Sequence, residues 1–472
     1  MNNSLVANLE NRIKSVRTSL DGFPWVIAGA LYTFSWGWSL LRPNTIYWDD
    51  WAFIYGQPKS YLNQIFVETG LPPWRALIDQ ELISIGYWTI PVLTFLLFFL
   101  AGVFIFGIFQ KIQTVTVEQN QLITVLFLII PINHSRIALV LFGYTTSYFL
   151  FFAAWFLLVR CKKFQIFLLA LLLFFWSFMT HSFLFFYLLP IIHFLSLQNF
   201  NIKSLFYSKV TFIKTTLLIL LPFVYYFTRM LFWYPKSEWY GYQRFELGGA
   251  IDGARLLVVG ALIIGLVICV LRLFDSEKSS LVLLLTGWIV FAWGLFPYFV
   301  SGRFRSYVEI VAFRSDWSGR HIMLTPLGAA LILAGLANSI FINQKKLFRN
   351  IIFSLFVAVN VFFGSQFYLD SLKKIELTQI FIEANSLKQI YPENKIIFTD
   401  ETKIFNGRFS TYRDPELQAK LKIADVSAQS ITGNGRCSAV KDEIEIKLKT
   451  NKSYIAALFS RDLGLYFEIS EC

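Results

Sequence analysis

The chain is written in long apolar runs separated by short polar joints, and the lengths of those runs limit what they can be. A helix crosses the ~30 Å hydrocarbon core of a bilayer in about 20 apolar residues. No water reaches that core, so each run is expected to be a helix that closes its backbone hydrogen bonds internally. Apolar runs fall at 23–41, 87–110, 121–132, 137–159, 164–179, 183–197, 210–231, 251–271, 281–300, 322–342 and 351–369. The third is short and Pro131 breaks it. The pattern predicts an all-α polytopic membrane bundle of about eleven transmembrane helices filling residues 23–370. Residues 1–22 form a polar segment carrying Arg12, Lys14 and Arg17. The run after them lacks a small-residue cleavage site and reads as a retained span, not a signal peptide.

Three polar excursions interrupt this rhythm. The first, 42–86, contains Gly70-Leu71-Pro72-Pro73-Trp74, followed by Trp74, Leu77, Ile78, Leu82 and Ile85 at helical spacing. That pattern predicts a proline-initiated amphipathic helix in the interface plane, either roofing a cavity open to the bilayer or acting as a plain surface anchor. The second excursion is 301–321. The third is a tail over 371–472, with helical spacing at 374–391, a β-like run at 395–399 and strand alternation at 443–448. It reads as a small α/β C-terminal soluble domain.

Composition reinforces the class. The chain has 56% hydrophobic, 18% aromatic and 15% charged residues, too apolar and too poor in charge for a soluble protein of this size. Its net charge of +12 sits mostly in short joints between the runs, which favours contact with membrane lipid over nucleic acid. With the N-terminus cytoplasmic, the joints at Lys111, Arg160/Lys162/Lys163, Lys203/Lys209, Arg272/Lys278 and Lys345/Lys346/Arg349 lie inside, as the bias of basic loops requires. The excursions and the tail then share the opposite face. There Cys437 and Cys472 can form a disulfide or remain two unpaired thiols, while Cys161 and Cys269 fall toward the reducing side. The outer loops also carry Arg42, Arg75, Arg136, Arg303, Arg305, Arg314 and Arg320, against the topological bias, so these charges need another reason.

Candidate chemistry concentrates on that face. Tyr47-Trp48-Asp49-Asp50-Trp51 places two adjacent carboxylates among aromatics, an arrangement that raises both pKa values and is costly unless it is used. One acid is suited to act while the other positions substrate or a divalent cation such as Mg or Mn. Alternatively, Trp48 and Trp51 are interfacial belt residues and the aspartates cap a helix. The arginines of 301–321, with His321 at the mouth of a run, are suited to bidentate phosphate binding. Candidates for substrate contact are Trp48, Trp51, Arg75 and the aromatic stretch holding Glu238, Trp239, Tyr240 and Tyr242, where rings stack on sugars or form an interface belt. His181, after Thr180, is either such a contact or a satisfied structural histidine. The sequence has no Walker loop, HExxH, CxxC or nucleophile elbow.

The layout of nearly the whole chain resembles the GT-C superfamily of integral membrane glycosyltransferases, in particular the bacterial and prophage O-antigen glucosyltransferases. The resemblance rests on a first span, the acidic pair Asp49-Asp50 in a long outer loop with interfacial helices, many further spans and a soluble outer tail. It implies transfer of a sugar, glucose favoured, from a polyprenyl-phosphate donor to an acceptor glycan such as lipopolysaccharide, on the periplasmic side of a bacterial inner membrane. It further implies Asp49 and Asp50 as the acidic pair and Arg320 at the donor phosphate, with Arg303, Arg305, Arg314 and His321 as alternatives. An O-antigen or capsule polymerase, and a lipid-linked sugar transporter or flippase, share parts of this layout; the nearly bare span interiors argue against a transport path.

Overall fold

A computed structural model describes residues 21–41, 43–47, 50, 60–160, 163–197, 209–236, 245–273, 278–302, 322–340, 345–390, 395–398, 431–433, 443–448 and 467–471. The described chain is mostly helical. Helix α1 is Trp25–Trp36, α2 Trp38–Leu41, α3 Ser60–Glu68, α4 Pro73–Ile85, α5 Thr89–Phe109 and α6 Val117–Ile129. After two 3-10 turns, His134–Ile137 and Leu139–Leu141, come α7 Phe142–Arg160, α8 Phe164–Ser177, α9 Ser182–Phe186 and α10 Leu188–Leu197. Then follow α11 Lys209–Phe232, α12 Leu247–Leu273, α13 Lys278–Val300, α14 Thr325–Ile340 and α15 Lys345–Ile390.

Each of the eleven apolar runs overlaps helix in its described part, and six of the helical stretches are long and apolar enough to cross a membrane: Thr89–Phe109, Leu139–Arg160, Val210–Phe232, Leu247–Arg272, Lys278–Val300 and Lys346–Tyr368. The other five are shorter. The first run bends at Gly37 between α1 and α2, and the sixth is interrupted at Tyr187, whose hydroxyl donates to the Leu218 carbonyl of α11 at 3.1 Å.

The third run shows why a proline matters here. Helix α6 starts with a capping box, Thr116 and Gln119 each bonding the other's backbone amide. It ends at Ile129 because Pro131 forces Ile130 out of helical geometry, to ψ 132°. Asn133 then takes a left-handed conformation, φ 62°, and the chain turns back through buried Asn133, His134, Ser135 and Arg136. Irregular backbone at such depth is tolerable only when the protein satisfies it. Asn360 of α15 does so in part, donating to the Ile129 carbonyl at 2.6 Å while its own oxygen sits 2.9 Å from His134 Nε2.

The core is aromatic. Phe98 and Phe106 of α5, Phe127 of α6, Phe151 and Phe152 of α7, Phe174 of α8, and Phe183 and Tyr187 around α9 pack into one buried cluster. Helices α13 and α14 approach closely because Gly287 and Gly328 face each other's partner backbone, leaving no room for a Cβ. On the outside, α12 turns Val258, Val259, Leu262, Ile263 and Leu266 outward, and only 11% of its most apolar stretch is buried, against 61% for Leu139–Arg160. Such a helix fits acyl chains rather than water.

Helix α15 runs 46 residues, about 69 Å at 1.5 Å per residue, so it continues far beyond its apolar stretch. Beyond it, strands β1 Lys395–Phe398, β2 Ile431–Gly433, β3 Glu443–Leu448 and β4 Phe467–Glu471 form one sheet in the order β2-β1-β3-β4. The β1 pairings with β2 and β3 are parallel, and β3 with β4 is antiparallel. β1 and β3 coincide with the two β-patterned runs of the tail.

Candidate functional site

Several helix ends meet at one end of the bundle, where the chain leaves α2. Asp50 is fully buried there. Its Oδ2 accepts hydrogen bonds from the Tyr87 hydroxyl at 2.6 Å and the Leu139 amide at 2.8 Å, and its Oδ1 accepts from the Val140 amide at 3.1 Å. The two amides open the 3-10 turn leading into α7, where free N–H groups and the helix dipole favour an anion. Three donors offset the desolvation of the carboxylate. The Tyr87 phenol, buried first of all and then facing the Asp50 charge, is held well above its ordinary pKa and stays a donor. Asp50 thus ties the exit of the first span to the starts of α5 and α7. Both oxygens of Asp50 accept from partners within the chain.

Helices α3 and α4 lie against this end as a roof. Trp74 of α4 meets Trp176 of α8 edge to face at 4.8 Å, and Trp176 meets Trp233, just past α11, at 6.4 Å. The α3–α4 turn is locked to α11 through Gly70, whose φ of +81° suits glycine and whose missing Cβ leaves room for Arg229 and the Trp233 carbonyl. Lys236 adds an ion pair to Glu68 at 2.9 Å.

Helix α4 is amphipathic as its spacing predicts, but it is set the opposite way from a helix in water. Leu77, Ile78 and Ile85 are exposed, while Arg75 and Asp79 are buried beneath. Arg75 pairs with Asp79 at 3.3 Å, lies 5.6 Å from the Phe142 ring centre and fills the space that a side chain at Gly143 would take. Burial pushes the Asp79 carboxyl up to about 6, the Arg75 charge holding back part of the rise. The sequence-predicted candidate Arg75 is therefore paired inside the roof.

His181 lies in the turn between α8 and α9. Its Nε2 is buried with no hydrogen-bond partner, and its ring is 6.2 Å from that of Tyr225. Burial, and after it the Arg229 charge, pushes its pKa down to about 3, so the ring is neutral at physiological pH. Around it Thr180 donates to Ser147 at 3.0 Å and Tyr298 to Ser182 at 3.2 Å, forming a polar layer.

Trp48, Asp49, Trp51, Glu238, Trp239, Tyr240, Tyr242, Arg303, Arg305, Arg314, Arg320, His321, Cys437 and Cys472 lie outside the described residues. Among the described residues, Asp50, Arg75 and His181 share this end of the bundle, and no group of three or more His, Cys, Asp or Glu has the arrangement of a metal site. Sequence reasoning passed over Asp79, Tyr87 and Arg229. Of these only Asp79 left a signal, its i, i+4 spacing from Arg75. Compared with protein-family models, with curated proteins and with solved structures, the chain matches none.

Proposed function

We propose that the chain is a membrane glycosyltransferase that moves a sugar, glucose favoured, from a polyprenyl-phosphate donor to an acceptor glycan such as lipopolysaccharide. The observation that carries this reading is the anchoring of Asp50. Three internal hydrogen bonds hold the segment directly after the first span beneath an amphipathic roof whose apolar face is turned outward. Such an arrangement suits a lipid-linked donor, whose isoprenoid tail would stay in the bilayer while its sugar meets the acidic pair.

In the proposed reaction Asp49, the chain neighbour of Asp50, takes the proton from the acceptor hydroxyl as that oxygen attacks the anomeric carbon. The bond from that carbon to the phosphate oxygen breaks, polyprenyl phosphate leaves with the electron pair, and the configuration inverts. Arginines of 301–321, Arg320 first, with Arg303, Arg305, Arg314 and His321, offset charge on the departing phosphate. The aromatic stretch 233–242 receives sugar rings, and a divalent cation is optional. The reading includes about eleven spans, a cytoplasmic N-terminus, and the tail sheet as part of an α/β domain on the outer, periplasmic face.

The test is transfer by the full chain in lipid, from synthetic polyprenyl-phosphate glucose to lipopolysaccharide. A folded Asp49→Asn variant is expected to lose about a hundredfold or more in rate. Equal rates would move the base elsewhere, and no glycoside from several sugars would remove the transferase reading.

A further inference from the structure

The turn between α6 and α7 carries a cation into the aromatic core. Arg136 is 3% exposed. Its guanidinium carbon lies 3.5 Å from the ring centre of Trp36 and 3.6 Å from that of Phe98, so π-faces cover both sides of its plane. These contacts are attractive, but they leave unused the N–H edge through which arginine makes hydrogen bonds. Nη2 is buried without a hydrogen-bond partner, and none of the three ion pairs among the described residues involves Arg136.

The helices that supply and border these rings carry further buried hydroxyls without a partner. Tyr148 Oη is one, on a ring stacked 5.5 Å from Phe98. Thr94 Oγ1 lies one turn before Phe98 on α5, and Ser35 Oγ is next to Trp36 on α1. A guanidinium does not shed its proton, and a buried charge without a counter-charge is strongly destabilising. A buried polar group left over in a native chain is met by a water, an ion or a ligand, and a cation calls for an anion.

We infer that Arg136 forms an internal anion site that takes a phosphate group, gripped by the guanidinium edge and by the hydroxyls of Tyr148, Thr94 and Ser35. Donors carried by three helices and a turn would suit a tetrahedral anion, and the arginine fork matches two of its oxygens. The aromatic walls suit a phosphate that carries an apolar chain. The same turn ends at Leu139, whose amide Asp50 binds, so the anion site and the acidic segment share one short piece of backbone. Naming a prenyl chain as the carrier rests on the glycosyltransferase reading; the anion site does not.

The experiment measures binding and thermal stabilisation of the full chain in nanodiscs with citronellyl phosphate, inorganic phosphate and neutral citronellol. Citronellyl phosphate is expected to bind and raise the melting temperature, and citronellol is not. Tighter binding of citronellyl phosphate than of inorganic phosphate assigns a lipid source, while equal binding assigns free phosphate; either supports the site. Arg136→Met is expected to weaken phosphate binding by about 10- to 100-fold. Tyr148→Phe, which removes a single hydroxyl, serves if that variant does not fold, with an expected loss of about tenfold. Absence of binding by the native chain to either phosphate, or unchanged binding in the Arg136→Met or Tyr148→Phe variant, overturns the inference. Binding by a chain that makes no glycoside would keep the anion site and remove the transferase reading, so the two failures are separable.

Discussion

Tyr87 and Asp50 form a bond whose removal has a calculable cost. Changing Tyr87 to Phe leaves the ring in place and takes one short donor from a buried carboxylate, for an expected loss of about 1.5 to 3 kcal/mol in unfolding stability. Chemical denaturation in detergent measures it, and an unchanged midpoint would show that water replaces the phenol. Asp79 gives a pH-dependent counterpart. Its folded pKa of about 6 lies above the ordinary aspartate value of 3.8, so between these values the folded chain holds the extra proton. Stability therefore rises as the pH falls from 7 to 5, by about 1 kcal/mol, and is lost again as the pH climbs through 6. The melting temperature of the native chain should follow this course, and the Asp79→Asn variant should not share its slope from this group. An acid slope of the same size in the variant would assign the effect to other residues.

At the scale of elements, helix positions were legible from the apolar runs, each of which overlaps helix in its described part, while six of those stretches have the length that a bilayer imposes. Helix breaks were less so. Pro131 was visible as a break, but nothing in the run 121–132 told that the chain beyond it returns inward and buries His134 and Arg136, because that depends on Asn360 more than 200 residues later. Arg136 was accordingly read as a loop charge. The roof shows a similar limit: spacing found the apolar face of α4, but the burial of Arg75 and Asp79 is settled by what lies beneath, Phe142 and the small Gly143. The joint between α3 and α4 supplies the prediction proper to this scale. Gly70→Ala must hold φ near +81° and push aside Arg229 and the Trp233 carbonyl, which costs about 1 to 3 kcal/mol and loosens the roof. Faster hydrogen exchange confined to residues 60–85 is the expected readout; uniform acceleration across the bundle would show that the roof is not a separate unit.

For the whole molecule, α15 is the longest ruler. Its stretch Lys346–Tyr368 is apolar enough to cross a bilayer, and the same unbroken helix then continues to Ile390 before the sheet. Residues 346 and 382 are 36 positions apart, about 54 Å along a straight helix, more than the ~45 Å of a bilayer with its headgroups. They must therefore emerge on opposite sides if the helix crosses. Basic Lys345, Lys346 and Arg349 at one end favour that end as the inner one. In a cysteine-free background, Ile382→Cys, an exposed position, is expected to react with a membrane-impermeant maleimide in intact cells, and Lys346→Cys only after permeabilisation. Glu68→Cys, in the roof helix α3, should label with Ile382→Cys, because the roof and the far part of α15 belong to one face in the topology proposed. Labelling of Lys346→Cys and Ile382→Cys from the same side would mean that α15 does not cross. The acidic segment, the roof and the tail would then lose their common compartment, and with it the ground for treating them as one machine.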